Sequence, residues 1–409
     1  MRRNGSVRGV TGGGPGSIGR VRTTTSALRA DLPSLASEVY LNTGGCGPLA
    51  RPAADALAEW AADAMARGRG SLAGFGRAEA ASVALRDDLG RLVGDPDGGR
   101  IALTGNTTDG LNRVAWGIDL RPGDEVVTPA LEYPGTHVLL ANVARRRGAT
   151  LRLVDPDGTE EDLEAAVAEV AGPRTRLVVV SHVSWSTGAV LDVPGAVRAA
   201  RRVGAVVAVD AAQSAGAIPL DADALGADAV AFPAHKWLLG PEGLGALWVA
   251  PGTEGTIDLT FTGFESGRDH TPEGGLTLHR GARRHEAATL PAPLLHAWRG
   301  SLGWLEREVG WERVFAGTRD AQAAGRAALA AIPGVRVLTP PGPHAGLVSF
   351  TVDGHAPEAV ARTLAADGVI VRWVRRPEVL RASLGFFTSD ADVARLAAGV
   401  AAVASSGDC

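Results

Sequence analysis

From residue 100 onward, short apolar runs alternate with stretches of helical periodicity. The apolar runs fall at Ile101–Thr104, Glu125–Thr128, Thr150–Val154, Leu177–His182, Ala205–Asp210 and Ala229–Phe232. Helical stretches at Thr107–Ile118, Gly135–Arg147, Glu160–Val170 and Val193–Val203 separate them. Strands alternating with helices predict an α/β domain built on a mostly parallel sheet. The runs at 177–182 and 205–210 are almost wholly apolar, as expected of strands covered on both faces. From Gly243, GLGALWVA predicts one more strand, placed at the sheet edge.

The flanks read differently. Residues 1–30 are rich in Gly, Ser, Thr and Arg and poor in large apolar side chains, which predicts a disordered tail. The tail contains a formal GxGxxG at Gly14–Gly19, but no strand precedes it, so it carries no dinucleotide-binding signal. Val39-Tyr40-Leu41 is a short strand ending in the turn Asn42–Pro48. Ala53–Ala66 and Ala78–Val93 read as helices, with a loop at Gly68–Gly76. After the loose stretch Thr253–Gly281 come helices at Ala292–Val309 and Trp311–Ala331. Strands at Val335–Leu338, Gly346–Val352 and Val369–Trp373 and helices at Pro357–Asp367 and Asp390–Val403 complete a second, smaller α+β unit. The expected organisation is a tail (1–30), a large α/β domain (52–290) and a smaller α+β domain made of 31–51 and 291–409.

Composition narrows the function classes. The 409 residues are 45% hydrophobic and 21% charged, with a net charge of -4, so no global basic field points to nucleic acid or a membrane surface. No apolar run approaches bilayer-spanning length, and the N-terminus has no apolar core of a signal peptide. Two cysteines, Cys46 and Cys409, suit a reducing compartment, and the expected location is cytoplasmic. His285-Glu286 is followed by Ala-Ala-Thr and so does not make an HExxH zinc motif.

In open α/β sheets, ligands sit beyond the carboxyl ends of the strands. The first strand delivers Gly105-Asn106-Thr107-Thr108-Asp109 at a helix start, suited to a phosphate or, more plainly, to a threonine N-cap. The second delivers Tyr133, a ring able to lie on a flat cofactor or simply to pack in a loop. The run 177–182 delivers His182 and then Trp185. The run 205–210 ends on Asp210, with Gln213 three residues on. A carboxylate there needs a cationic or N–H partner, which a protonated pyridine nitrogen or a following helix N-terminus supplies. Lys236 then sits between His235 and Trp237 in an apolar setting. It is either a surface lysine with a buried stem or an amine desolvated for Schiff-base chemistry. In order along one sheet edge, these residues describe a pyridoxal phosphate site. The phosphate rests on Thr107 and Thr108, the ring under Tyr133, the ring nitrogen on Asp210, the phenolic oxygen near Gln213 and the aldehyde carbon on Lys236.

The chain resembles the class V aminotransferase family of fold-type I pyridoxal phosphate enzymes, a group with cysteine desulfurases, isopenicillin N epimerase-like proteins and carbon–sulfur lyases. The likeness spans about residues 38–405. It is carried by GNTTDGLN (105–112), LEYPGT (131–136), SHVSWSTG (181–188), VDAAQSAG (209–216), FPAHKWLLGPEGLGALWV (232–249), RRHEAAT (283–289) and LRASLGFF (380–387). The resemblance implies a large domain with a mostly parallel, seven-stranded type of sheet plus a smaller α+β domain. It also implies a cofactor, pyridoxal 5'-phosphate, and a homodimer with shared active sites, in which Thr289 reaches the neighbouring subunit's phosphate. His182 and His235 join the cofactor set, and His235 and Asp210 act beside Lys236 in catalysis. Arg381 matches the arginine for the substrate carboxylate, with Arg372 as a looser second; Asn42 and Gly44 belong to a segment reaching over the site.

Three departures set the functional expectation. The segment RWVRRPEVLR (372–381) contains no cysteine where the desulfurases carry their persulfide cysteine. Trp185 stands where those enzymes have an asparagine, and Pro233 where a phosphate-binding serine is common. The leading expectation is a β-eliminating carbon–sulfur lyase acting on a cysteine S-conjugate. The alternatives are an aminotransferase, epimerase or decarboxylation-linked deaminase, then a desulfurase or selenocysteine lyase without persulfide cysteine. A non-catalytic cofactor-binding scaffold is disfavoured by the intact Lys236, Asp210 and Arg381.

Overall fold

The computed structural model describes residues 25–96, 98–155 and 163–406. The N-terminal part holds α1 (Thr25–Arg29), β1 (Val39–Tyr40), α2 (Arg51–Arg67) and α3 (Leu72–Leu92). The alternating part runs β2 (Ile101–Thr104), α4 (Thr107–Gly117), β3 (Glu125–Pro129), α5 (Pro134–Arg147), β4 (Thr150–Val154) and α6 (Leu163–Val170). It continues with β5 (Thr175–Ser181), α7 (Val193–Arg201), β6 (Val206–Asp210), α8 (Ala222–Leu225), β7 (Ala229–Pro233) and β8 (Gly245–Val249). The C-terminal part holds β9 (Gly267–His270), β10 (Leu276–Leu278), α9 (Ala292–Trp304), α10 (Trp311–Ala330), β11 (Val335–Val337) and β12 (Leu347–Val352). It ends with α11 (Pro357–Ala366), β13 (Val369–Ile370), β14 (Arg372–Arg375), β15 (Glu378–Ser383) and α12 (Asp390–Ser405).

Seven strands form one sheet in the order β2-β8-β7-β6-β5-β3-β4. Pairing from β7 through β4 is parallel, and only β8 runs against its neighbours. The apolar runs are continuous because both faces are covered. Alternate residues of one strand serve opposite cores: Val178 and Val180 of β5 pack with α3, α6, α7 and α9, while Leu177 and Val179 pack with α4 and α5. The strand at 245–249 is not at the edge. It lies between β2 and β7, and its five residues are all buried.

Strand order reverses between β5 and β3, since β4 lies on the far side of β3. Crevices for ligands open at such switch points, beyond the strand carboxyl ends. β3 and β5 therefore deliver Glu132, Tyr133, Ser181 and His182 to that crevice, with Asp210 beside them on β6.

The smaller sheet is antiparallel, in the order β11-β12-β15-β14. Its core joins Val348, Phe350, Leu380 and Ala382 to Leu329 of α10, Leu364 of α11 and Leu396 of α12. β1 pairs in parallel with β13, which carries the N-terminal segment onto this side of the molecule. Helix α9 belongs to the other core, through Leu295, Trp298 and Leu302.

Some boundaries differ from expectation. Residues 25–29 form a helix, held where Arg29 reaches Asp392 at 2.6 Å and the Phe387 carbonyl at 2.8 Å; the remaining tail, 1–24, lies outside the described residues. Helix α3 begins at Leu72, capped by the Ser71 side chain, so it absorbs half of the expected loop. The run 369–373 divides at Val371: β13 joins β1, while β14 turns back as a hairpin with β15.

Candidate active site

The crevice holds a cavity of about 230 Å³ lined by Asn106, Thr107, Thr108, Tyr133, Ser181, Trp185, Asp210, Ala212, Gln213, Pro233, His235 and Lys236. Residues from four strand ends and from the turn after β7 thus meet in one place.

The helix at 107–117 is capped by Asn106, whose side chain accepts from the Asp109 N–H at 2.9 Å. Thr107 and Thr108 are therefore free of the capping role, and their hydroxyls sit at a helix N-terminus facing the cavity. Asp210 does not cap a helix either. The chain after it is a series of turns, and Oδ1 accepts only the Ala212 N–H, at 2.9 Å. Burial pushes the Asp210 carboxyl up, and Lys236 opposes that rise.

Lys236 Nζ lies 5.9 Å from the centre of the Tyr133 ring. Its pKa is pushed down to about 8, first by burial, with Arg381 and Arg372 acting the same way against Asp210. A neutral amine is then accessible near neutral pH, the condition for a nucleophile or general base. The loop carrying it is fixed from behind: the Gly47 N–H donates to the His235 carbonyl at 2.7 Å. A Cβ at Gly47 would stand 2.2 Å from the Lys236 carbonyl oxygen, so only glycine permits this approach.

Gln213 joins two segments. Its Nε2 donates to the Gly44 carbonyl at 2.9 Å, and its Oε1 accepts from the Trp237 indole at 2.9 Å. One amide proton remains for the cavity. The Trp185 indole N–H donates to the Leu131 carbonyl at 2.9 Å, so this residue offers the cavity an apolar face and no donor. Its ring meets Tyr133 edge-on, with centres 5.6 Å apart. Arg381 is 1% exposed. One of its terminal nitrogens donates to the Trp185 carbonyl, and its Nε has no partner.

The other expected residues sit around this set. His182 is buried just beyond β5 but does not line the cavity; burial pulls its pKa down to about 4, and Nδ1 has no partner. His235 lines the cavity with Nδ1 likewise unpartnered, and burial lowers its pKa. Asn42 and Gly44 lie one layer out: Asn42 bridges to Ser383, and Gly44 meets Gln213. Arg372 is exposed, directly opposite Arg381 in the hairpin. Thr289 is exposed and does not line the cavity within one chain. Cys46 lies behind the lysine loop, where its thiol meets Glu242 at 3.5 Å, and burial followed by Glu242 pushes its pKa up to about 11. Cys409 lies outside the described residues.

Sequence reasoning passed over Glu132. It is 4% exposed, and burial followed by Asp210 pushes its pKa up to about 7. The signal was present: as Asp210 closes the fully buried β6, Glu132 is a carboxylate three residues past the fully buried β3.

The donor set fits pyridoxal phosphate. Hydroxyls at a helix N-terminus match a dianion, a buried carboxylate matches a pyridinium, and a desolvated amine matches an aldehyde. The unpartnered Arg381 Nε adds a buried cationic donor next to Trp185.

Comparison with known proteins agrees. The family model "Aminotransferase class-V" matches residues 39–396. A probable cysteine desulfurase of Methanothermobacter thermautotrophicus is 31% identical over 350 residues, 85% of this chain and 86% of that protein. Isopenicillin N epimerase of Streptomyces clavuligerus is 30% identical over 377 residues, 88% of this chain and 93% of that protein. Among solved structures, the cystine C–S lyase C-DES in complex with its reaction product cysteine persulfide superposes with a TM-score of 0.86 at 32% identity, covering 90% of this chain and 99% of that one. A lysine-to-alanine mutant of C-DES, with glycine covalently linked to the PLP cofactor, has a TM-score of 0.86 and covers 91% of this chain and 98% of that one. With its fold, its cavity chemistry and these relatives in agreement, this chain belongs to the class V aminotransferase family and is a fold-type I enzyme that uses pyridoxal 5'-phosphate.

Proposed function

We propose that this enzyme is a β-eliminating carbon–sulfur lyase acting on cysteine S-conjugates, including mixed or symmetric disulfides of cysteine. One observation carries the reading. Arg381 comes in on a hairpin whose strands pair directly, Arg375 opposite Glu378, so only two residues form the turn and no thiol is present in it. A sulfur atom released in the cavity meets no cysteine there. The thiol of Cys46 is engaged with Glu242 and held protonated by a pKa of about 11, which unfits it for persulfide transfer. The likeness to a cystine C–S lyase at 32% identity supports the same class.

Each residue has a role in this reading. The bound cofactor supplies an electron sink for charge developing at the substrate Cα. Thr107 and Thr108 would hold its phosphate, Tyr133 would cover its ring, and Asp210 would keep its ring nitrogen protonated. Gln213 would give its remaining amide proton to the phenolic oxygen, with His182 and His235 beside these groups. Lys236 would hold the cofactor's aldehyde at rest and, once displaced by substrate, would take the Cα proton and pass it to the departing sulfur. The Arg381 fork binds the substrate carboxylate, with Arg372 at the entrance and Asn42 and Gly44 shaping the rim. Trp185 gives the sulfur substituent an apolar wall. The Cβ–S bond breaks with its electron pair on sulfur. Overall, the S-conjugate and water give a thiol, pyruvate and ammonia; a disulfide substrate gives a persulfide in place of the thiol.

We further propose a cytoplasmic homodimer in which Thr289 of each subunit reaches the phosphate of the other. The exposure of Thr289 and of Met65, Leu72, Phe75, Phe261 and Phe264 supports that arrangement.

A second reading, reaction at Cα alone, has the epimerase relative in its favour. Incubating the holoenzyme with cystine, S-alkyl cysteines and their D-isomers separates the two. Equimolar pyruvate and thiol or persulfide supports the lyase. Interconversion of L- and D-isomers without pyruvate refutes it, as does a keto acid formed with retention of sulfur.

A further inference from the structure

The Glu132 carboxylate takes part in none of the steps above, yet it occupies the centre of the switch point. Its Oε1 accepts the Tyr133 N–H at 2.7 Å and the Ser181 hydroxyl; its Oε2 accepts the Ser181 N–H at 2.7 Å. Ser181 stands opposite Asp210 in the β5–β6 register. One buried carboxylate thus ties the end of β3 to the end of β5, next to the strand that carries Asp210. All its bonding partners are neutral donors. Among the described residues no Lys or Arg forms an ion pair with it.

We infer that Glu132 is a positioning residue of this site: it clamps the backbone that presents the Tyr133 ring and sets a second buried anion behind Asp210, so that the site favours a proton on the ring nitrogen that Asp210 faces. The inference rests on the assignment of the cofactor ring to this cavity. Two carboxylates buried together resist joint ionisation. Burial raises the proton affinity of both, and Asp210 adds to the rise of Glu132. A cation held against Asp210 relieves that conflict, and a pyridinium is such a cation. The surrounding charges do not remove it. Lys236, which follows β7, acts on Asp210, while Arg381 and Arg372 on the hairpin act on Lys236. Next to Ser181, His182 is kept neutral by burial. On α5, the His137 ring meets the Pro129 carbonyl at 2.9 Å. Asp155, past the end of β4, lines a neighbouring cavity of about 190 Å³ with Glu132 and adds only negative charge.

A strand-to-strand staple would use the same hydrogen bonds without any electrostatic role, so the test separates the two. Holoenzyme is prepared with cofactor labelled with nitrogen-15 in the ring, as wild type and as Glu132→Gln, which keeps the size and removes the charge. The ring-nitrogen resonance is followed against pH, beside the cofactor dissociation constant and the melting temperature. The midpoint at which the ring nitrogen loses its proton falls by about one pH unit or more in the Gln variant, the scale of one like charge lost from a poorly solvated pair. A lower melting temperature with an unmoved midpoint overturns the inference. Should the Gln variant fail to fold, Glu132→Asp keeps the charge and shortens the clamp. It is expected to hold the wild-type midpoint and bind cofactor severalfold more weakly, and an unchanged dissociation constant overturns the inference. Borohydride reduction of the wild type is the control. A wild type that fixes no pyridoxyl group on Lys236 overturns the site assignment itself, a failure distinct from an unmoved midpoint in a loaded enzyme.

Discussion

In the proposed site, Arg381 is a charge held for a ligand at the expense of the fold. Its side chain is fully buried, its one protein acceptor is the Trp185 carbonyl, and no carboxylate among the described residues pairs with it. Burial, with Arg372 adding to it, pulls its pKa down from 12.5 to about 9. That fall corresponds to roughly 5 kcal/mol against the charged form. Replacing Arg381 by Met removes this penalty. The change also forfeits a hydrogen bond of roughly 1 kcal/mol, leaves the Trp185 carbonyl unpartnered at about 1–2 kcal/mol, and loosens packing. The balance predicts an apo-protein about 1–2 kcal/mol more stable than wild type at pH 7, as when a poorly compensated buried charge gives way to an apolar side chain. The same variant should lose about 10²–10³-fold in kcat/KM for a substrate carrying a carboxylate. The assay is urea unfolding of both apo-proteins at pH 7, with initial-rate kinetics of the holoenzymes. A carboxylate ligand should stabilise wild type and leave the variant unmoved. The sign with pH is also fixed. The folded-state arginine sheds its proton before the unfolded one, so the variant's advantage shrinks as pH rises through about 9. A variant that is less stable than wild type and still turns over would refute the reasoning.

Three further outcomes are expected. Asp210→Ala should lower kcat by about 10²-fold or more while KM moves little, because the buried carboxylate acts on charge developing in the reaction; unchanged turnover in steady-state kinetics would remove Asp210 from the site. Gly47→Ala should displace the Lys236 loop, since the added methyl falls 2.2 Å from the Lys236 carbonyl oxygen and 2.6 Å from Leu239 Cδ2; about 1–3 kcal/mol of stability is lost, and weaker cofactor retention on gel filtration checks it. His182 should make the apo-protein acid-sensitive. Above pH 6.5 its ring is neutral in both states, but as pH falls toward its folded pKa of about 4 only the unfolded state takes the proton. Glu132, raised to about 7, works in the opposite direction over part of this range. The measurement is therefore a difference: from pH 7 to pH 5, wild type should lose about 2 kcal/mol more than His182→Leu in urea unfolding, and equal losses exclude the assignment.

Much of the fold was legible because double-sided burial leaves a plain trace. β5 and β6 read as continuous apolar runs since neighbouring residues serve opposite cores. The same trace was present in Gly245–Val249 and pointed to the interior, yet chain order suggested an edge. Sheet order is a long-range property, settled by which edge of β7 remained to be paired. The Val369–Trp373 run is apolar except for Arg372 but divides between two partners, and only the position of β1 decides that. The helix start at Leu72 escaped because the glycines at 74 and 76 argue against a helix, whereas the Ser71 cap and packing of the later turns carry it.

The site was legible to the extent that topology places strand ends together. Thr107, Tyr133, Asp210 and Lys236 could be read because each follows a strand that points at the same crevice. Bonding, by contrast, is not written in a local sequence. Asn106 rather than a threonine caps the helix, and that leaves both threonine hydroxyls to the cavity. Trp185 commits its indole to Leu131, so the asparagine-like donor is absent from that side and Gln213 holds the one amide proton left. Glu132 follows from the argument that singled out Asp210, an acid at the end of a dry strand, and was missed because its neighbour Tyr133 already had a role. A buried carboxylate with neutral partners has to be explained by something it faces, and here that is a second carboxylate. The pair makes sense when a cation stands in front of it, which is why the acids behind the cavity and the lysine in front of it are better understood as one charge arrangement than as separate residues.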